Sequence, residues 1–569
     1  MNKTQTTDVD VIVERLAIGE KTWAAATLAD RARLLAEFRT SLAEVADEWV
    51  KIACQIKQLP EESPLVGEEW ISGPWAVLSF TGALLETVQR LDRGADVLDG
   101  CRFRAAPDNR LAVRVSPFTG FDKLLFSGFR AEVWLRPGVT EADARATAGL
   151  GLRTPHETDG VALVLGAGNI FSISPLDTLN QLYAANRAVV LKLNPITDPL
   201  LPVFERIFAP FIELGVLEII TADGLLGDAL AQHPGIGAVH MTGSEATHDA
   251  IVWGTGPDGE AAKHAGTPRL TKPITSELGG VSPIIVVPGN WSGADLRFQA
   301  QHVATQRLHN SGHNCVGSQI VIVSSDWAQK DAFLAELRTA VAAAPARPAW
   351  YPGCEARVRA ARELHPSAEA VGGTPERTLL TGLDLIDADE TAFTGEYFGP
   401  VLGVAELPGT GERFLSSAVD AANERLRGTL GANILAHPAT LAELGPQLEK
   451  NIARLRYGTI AVNAWTGVGY LTPRTTWGAF PGHTLDDIQS GCGVVNNALL
   501  LDDTERTVVY GPFRPAPRSL LHGELSLTPK PAWFVSNRTA ATTGRRLTRF
   551  VLRPRWRALP AIFASALRG

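Results

Sequence analysis

The stretch from Gly160 to Ser244 constrains the fold of this chain more than any other. Val161-Ala162-Leu163-Val164-Leu165 is a continuous apolar run, as expected of a strand buried on both faces. A glycine-rich break, Gly166-Ala167-Gly168-Asn169, follows. Next come a helix-like segment from Pro175 to Ala185 and a second apolar run from Ala188 to Leu193. Residues 201–214 read as helix and Glu218 to Thr221 as extended chain. Ile236 to Met241 reads as a strand that ends at Thr242-Gly243-Ser244. This alternation predicts an α/β fold with a parallel sheet covered by helices on both faces.

A second α/β block starts at Pro283-Ile284-Ile285-Val286-Val287. It continues through Ile320 to Val323 and the helical residues 327–343. Upstream, Leu28, Leu34, Leu35, Phe38, Leu42 and Val45 recur at helical spacing, so residues 22–60 predict helix. Residues 60–150 are mixed, with a strand-like Leu111 to Val115. Residues 344–375 read as loop-bearing, and 500–569 as a basic, proline-punctuated extension. With 569 residues the chain exceeds what one core holds, about 250–300 residues.

The formal net charge of −8 gives no global basic field, so no nucleic-acid partner is expected. Five cysteines without paired spacing do not describe a disulfide framework and fit a reducing compartment. Met1 to Asp8 is polar and lacks the apolar core of a signal peptide. No apolar run reaches the ~18–20 residues of a membrane span. A cytoplasmic protein is the expectation.

The chemistry concentrates at two places. Glu277 precedes Leu278-Gly279-Gly280, and Cys315 closes the run Asn310-Ser311-Gly312-His313-Asn314-Cys315. A thiolate able to attack a carbonyl, joined by a carboxylate able to activate water, forms a nucleophile-and-base pair. A third run, Glu396-Tyr397-Phe398-Gly399-Pro400-Val401-Leu402, lies further on. No metal-ligand set is assigned. Cys54, Cys101, Cys354 and Cys492 lie in no motif, and free cysteine is usually a small buried hydrophobe.

In these motifs and their order, residues 20–500 resemble the aldehyde dehydrogenase superfamily. The resemblance implies a Rossmann-type cofactor domain, a second α/β catalytic domain and an oligomerisation arm, with the active site between the domains. On this sequence the boundaries fall at 1–278, 279–470 and 471–569. It implies Cys315 as nucleophile, Glu277 as general base and Asn169 as an oxyanion donor. It implies Lys192, Gly243, Ser244, Glu396 and Phe398 as contacts to NAD or NADP. Pro195 stands where NAD-preferring members carry a glutamate, so the choice between NAD and NADP stays open.

The implied reaction oxidises an aldehyde to a carboxylic acid through a thiohemiacetal and a thioester on Cys315. Trp465 and Tyr470 lie in a region that commonly lines the substrate tunnel; they suggest an apolar aldehyde or, equally, core packing. Two alternatives remain open. In one, coenzyme A replaces water as the acyl acceptor. In the other, the chain is a non-catalytic relative, motivated by Pro195, His248, His313 and the segment Trp477-Gly478-Ala479-Phe480-Pro481-Gly482, which depart from the family pattern. The resemblance further implies a homodimer or homotetramer. The tail from Gly544 to Gly569 carries seven arginines and no acid, with apolar residues between them. Packing on the protein itself or on another subunit is favoured for it over weak contact with a membrane surface.

Overall fold

The computed structural model describes residues 3–221, 224–372 and 376–569. The alternation around Gly160 builds a six-stranded sheet. Its strands lie in the order Gly491–Cys492, Ile274–Leu278, Ala238–Gly243, Val161–Leu165, Ala188–Lys192, Leu217–Ile220. Five are mutually parallel, and Gly491–Cys492 pairs antiparallel at one edge. Successive strand residues go to opposite layers, as the pleat requires. Leu163 joins a core with Leu16 and Leu230, whereas Val164 joins one with Leu35, Leu176 and Phe204. That is why these strands read as unbroken apolar runs.

The second sheet has eleven strands. Its parallel centre contains Thr459–Val462, Gly431–Leu435, Pro283–Val286, Ile320–Ser324 and Val401–Leu407. Thr504–Tyr510 pairs parallel with Thr459–Val462. The antiparallel strands Arg130–Leu135, Arg110–Ser116 and Arg102–Ala106 then carry the sheet to its edge. One sheet thus draws on chain segments nearly four hundred residues apart.

Two local outcomes differ from the sequence reading. Helix begins earlier than residue 22: Lys3–Ala25 and Leu28–Ile56 are separate helices, broken at Thr27, which caps the second in a reciprocal capping box with Asp30. Within 344–375, Cys354–Leu364 is helical, with only Cys354 and Ala361 buried. Its helix-forming Ala, Arg, Glu and Leu content carries it with little apolar periodicity to announce it.

The tail forms the helices Ala540–Leu552 and Leu559–Ala566, with Pro560 in the first turn of the second. It packs on its own chain. Phe550 meets Phe121 edge-on at 5.2 Å, Ala540 crowds the backbone of Gly67, and Arg545 pairs with Asp47 at 2.6 Å. No helix among the described residues is long and apolar enough to cross a membrane.

Candidate active site

Cys315 lies between the helix Gly293–Leu308 and the strand Ile320–Ser324, just after a stretch of unusual backbone. Asn310, Ser311 and Gly312 are left-handed in succession, with φ of 55°, 57° and 78°. Asn and Gly tolerate this region, but three such residues in a row have to be held from outside. The Asn310 backbone N–H donates to Glu68 Oε2 at 3.0 Å, and Arg347 donates to Asn310 Oδ1 at 3.1 Å. Asn310 Nδ2 donates to the carbonyls of Asn169 at 3.1 Å and His313 at 2.9 Å. Glu68 and Glu69 pair with Arg347, and Glu69 with Lys57 at 2.9 Å. All four of these charged groups are buried. Arg307 donates to the carbonyls of Gly399 at 2.7 Å and Gly317 at 2.6 Å, and so clamps the other side of the loop.

The Cys315 thiol donates to Glu277 Oε1 at 3.3 Å. Glu277 belongs to the six-stranded sheet and Cys315 to the loop feeding the eleven-stranded one, so the pair forms where the two meet. Burial pushes the Glu277 carboxyl up to about 7, and the charge of Asp177 adds to the shift. Burial, followed by the charge of Glu277, holds the Cys315 thiol well above its ordinary range. Glu277 is thus the group within reach of the thiol proton.

Asn169 follows the strand Val161–Leu165 and donates from Nδ2 to the His313 carbonyl at 3.1 Å. That uses one of its two amide hydrogens. His313 itself does not pair with Cys315. Its Nδ1 bonds the Phe398 carbonyl at 2.8 Å, its ring packs among Trp350, Tyr351 and Phe398, and burial lowers its pKa to about 3. It is a neutral part of the loop's scaffold.

Glu396 approaches from the other side. A Cβ at Gly279 would stand 2.0 Å from Glu396 Oε2, so the carboxylate lies against the backbone just beyond Glu277. Glu396 Oε1 is buried without a hydrogen bond from the protein, and burial raises the carboxyl to about 8. Such a carboxylate suits a ligand that brings hydroxyl donors. Phe398 is left-handed at φ 42°, with its ring 5.0 Å from Tyr351.

Lys192 ends the strand Ala188–Lys192 and is buried, its Nζ donating to the Leu193 carbonyl at 3.3 Å. Ser244, after Gly243, caps the helix Glu245–Val252 and accepts from the Thr247 N–H at 3.2 Å. Within that helix His248 is fully buried. Lys192, Asn169 and Ser244 follow the carboxyl ends of three adjacent parallel strands, where open α/β sheets bind ligands.

Sequence reasoning missed the groups that support these residues: Lys57, Glu68, Glu69, Arg307, Arg347, Trp350 and Tyr351. The one signal was Glu68-Glu69, two acids inside the otherwise apolar stretch Leu65 to Trp75. Such acids are buried only when paired.

The aldehyde dehydrogenase family profile matches residues 141–356 of this chain. Among curated relatives it is 28% identical over 197 residues to the N-succinylglutamate 5-semialdehyde dehydrogenase of Sphingopyxis alaskensis, covering 34% of this chain and 37% of that protein. It is 24% identical over 323 residues to the coniferyl aldehyde dehydrogenase of a Pseudomonas species, covering 52% of this chain and 60% of that one. The matches thus span well under two thirds of either relative. The indole-3-acetaldehyde dehydrogenase AldA of P. syringae, solved with NAD+, shares the fold. Its TM-score is 0.57 at 19% identity, with 89% of each chain covered.

Proposed function

We propose that this chain oxidises an apolar aldehyde to a carboxylic acid, using NAD or NADP. The observation that carries the reading is the 3.3 Å contact between Cys315 Sγ and Glu277 Oε1, with the Asn169 amide bonded to the same loop. The nicotinamide cofactor, when bound, supplies the hydride acceptor. Glu396 Oε1 has the unmet acceptor capacity that a ribose diol satisfies, and the bare Gly279 backbone leaves room beside it. In this reading Lys192 takes the adenosine portion and Ser244, at the start of a helix, the pyrophosphate. Pro195 brings no carboxylate against a 2′-phosphate, so both cofactors remain admissible.

Cys315 passes its proton to Glu277 and its sulfur bonds to the aldehyde carbon, forming a thiohemiacetal. The Asn169 amide and the Cys315 backbone N–H stabilise the oxyanion. After oxidation a thioester remains on Cys315. Once Glu277 has released the proton it took from Cys315, it takes one from water, hydroxide adds to the thioester carbon, the C–S bond breaks with sulfur leaving as thiolate, and the acid departs. A carboxylate already beside the sulfur favours water over coenzyme A as the acyl acceptor.

An apolar substrate is suggested by a cavity of about 270 Å³ lined by Trp75, Phe126, Phe129, Val468, Trp533 and Phe550; Cys315, Glu277 and Asn169 lie outside its lining. Four of these (Phe129, Val468, Trp533 and, in contact, Phe126) belong to the apolar cluster against which Cys315 packs. Tail helix Ala540–Leu552 supplies Phe550, so the tail forms part of the cavity wall.

The half-exposed edge strand Arg102–Ala106 and the family resemblance support a homo-oligomer, to be sized by light scattering. Five free thiols fit a cytoplasmic setting. The test of the reaction is absorbance of reduced nicotinamide with short, long and aromatic aldehydes and each cofactor. Signal is expected with apolar aldehydes and is expected to vanish in Cys315→Ala. Full turnover by that variant would refute the assignment.

A further inference from the structure

The proposed reaction releases two protons for each aldehyde oxidised: RCHO + NAD+ + H2O gives RCOO−, NADH and two H+. Glu277 receives a proton, yet it is buried and its Oε2 has no hydrogen bond to the protein. That proton has to move onward before Glu277 can take another from water in the same turnover.

The sheet supplies a neighbour. Thr242 pairs with Glu277 and His240 with Thr275 on the adjoining parallel strands, so all four side chains share one face. The residues between them, Met241 and Ser276, point to the other face, and Met241 is packed there with Val239 and Ile251. The helix Ile173–Tyr183 lies over the polar face and sets Asp177 between the strands. The Thr242 hydroxyl donates to Asp177 Oδ2 at 3.0 Å, and His240 Nε2 stands 3.3 Å from the same oxygen. His240 Nδ1 meets the Thr275 hydroxyl at 2.8 Å. Thr275 in turn lines a surface pocket of about 220 Å³ with Asn180, Gln181 and Arg187. Asp177 and His240 are otherwise buried polar groups that the chemistry of Cys315 does not employ.

We propose that Asp177, His240 and Thr275 form the route by which protons leave Glu277 for solvent. The proton on the Glu277 carboxyl passes by way of the Asp177 carboxylate to His240 Nε2. Imidazolium forms there against the Asp177 carboxylate, and Nδ1 releases its proton through the Thr275 hydroxyl to the surface pocket. No oxidant or reductant is involved, and Glu277 returns to the carboxylate needed for the next water. These residues act through Glu277 and are positioning residues rather than groups that touch substrate.

The charges that face this route are few. Burial and then the charge of Asp177 raise the Glu277 carboxyl; at His240 burial pulls the pKa down, but the charge and hydrogen bond of Asp177 together with the charge of Glu277 hold it above its ordinary range. Cys315 faces Glu277 from the nucleophile loop, and Tyr470 senses Glu277, Asp177 and Cys315 together. Glu396 acts on Cys315 from the far side. Among these groups only His240 can hold a positive charge on this face.

The inference rests on the dehydrogenase reading, and its test separates the two. Reduced nicotinamide is followed by stopped flow and at steady state in the wild-type protein, His240→Ala and Asp177→Asn, with imidazole added in steps. In His240→Ala the first-turnover burst is expected to stay within about twofold of wild type while steady-state turnover falls roughly tenfold or more. Imidazole is expected to restore turnover in proportion to its concentration, which a packing defect would not allow. Asp177→Asn, which keeps the shape, is expected to slow turnover and to move the acidic limb of its pH profile downward. A His240→Ala protein with wild-type turnover, or one that loses burst and turnover together without rescue, overturns the relay alone. A wild-type protein that reduces no cofactor with any aldehyde overturns the dehydrogenase reading and the relay with it.

Discussion

Glu68 Oε2 accepts the backbone N–H of Asn310 at 3.0 Å, so a carboxylate near the start of the chain holds the loop that presents Cys315. The loop needs this support because three consecutive residues occupy left-handed backbone. The supporting carboxylate in turn needs Arg347, and its neighbour Glu69 needs Lys57, because an unpaired charge at such depth is costly.

Breaking that cluster is expected to be severe. Arg347→Met leaves Glu68 buried without its cation and should destabilise the fold by about 3–5 kcal/mol. Urea unfolding measures this, and alkylation of Cys315 in the still-folded protein reports the disordered loop. Unchanged stability would mean the cluster is not closed in solution.

Glu277 links activity to pH. Its carboxyl is raised to about 7, and the base works only when ionised. Turnover should therefore fall by about tenfold per pH unit below that value. The stability sign is opposite. A carboxyl whose folded pKa lies above its ordinary 4.5 contributes stability below 4.5, and that contribution is lost as pH rises through about 7. Glu277→Gln should lose both activation of the Cys315 thiol and deacylation and yet be more stable by about 3 kcal/mol at pH 8, as read by thermal melts at pH 5 and pH 8.

Gly279 protects the Glu396 position. A methyl group there would stand 2.0 Å from Glu396 Oε2 and displace the carboxylate. Gly279→Ala is expected to weaken nicotinamide-cofactor binding by roughly tenfold or more, the loss of about one charged hydrogen bond. Cys315 should remain alkylatable at the wild-type rate, and cofactor titration by fluorescence gives the affinity.

The tail is expected to bear on substrate choice. Phe550 packs on Phe121 and Ile562 and lines the apolar cavity. Phe550→Ala should cost about 3 kcal/mol of stability and enlarge the cavity. KM for bulky aldehydes should shift more than KM for short ones. Equal shifts for all aldehydes would remove the tail from the substrate site.

By itself the sequence determined the central strands, because a strand covered on both faces has to be apolar throughout. The residues proposed for the chemistry were legible there too. Cys315, Glu277 and Glu396 stand in short runs whose glycines allow close backbone approach, as Gly279 does beneath Glu396. Only the tertiary structure decided what supports and surrounds them. Arg347 lies nearly three hundred residues from Lys57 and Glu68, and no local pattern joins them, because ion pairing depends on distance in space and not along the chain. His240 reads as one polar residue in an apolar strand until the parallel register sets it on the same face as Glu277. Strand pairing likewise joins Arg130–Leu135 to Thr504–Tyr510, since backbone hydrogen bonds carry no sequence label that a single strand could reveal.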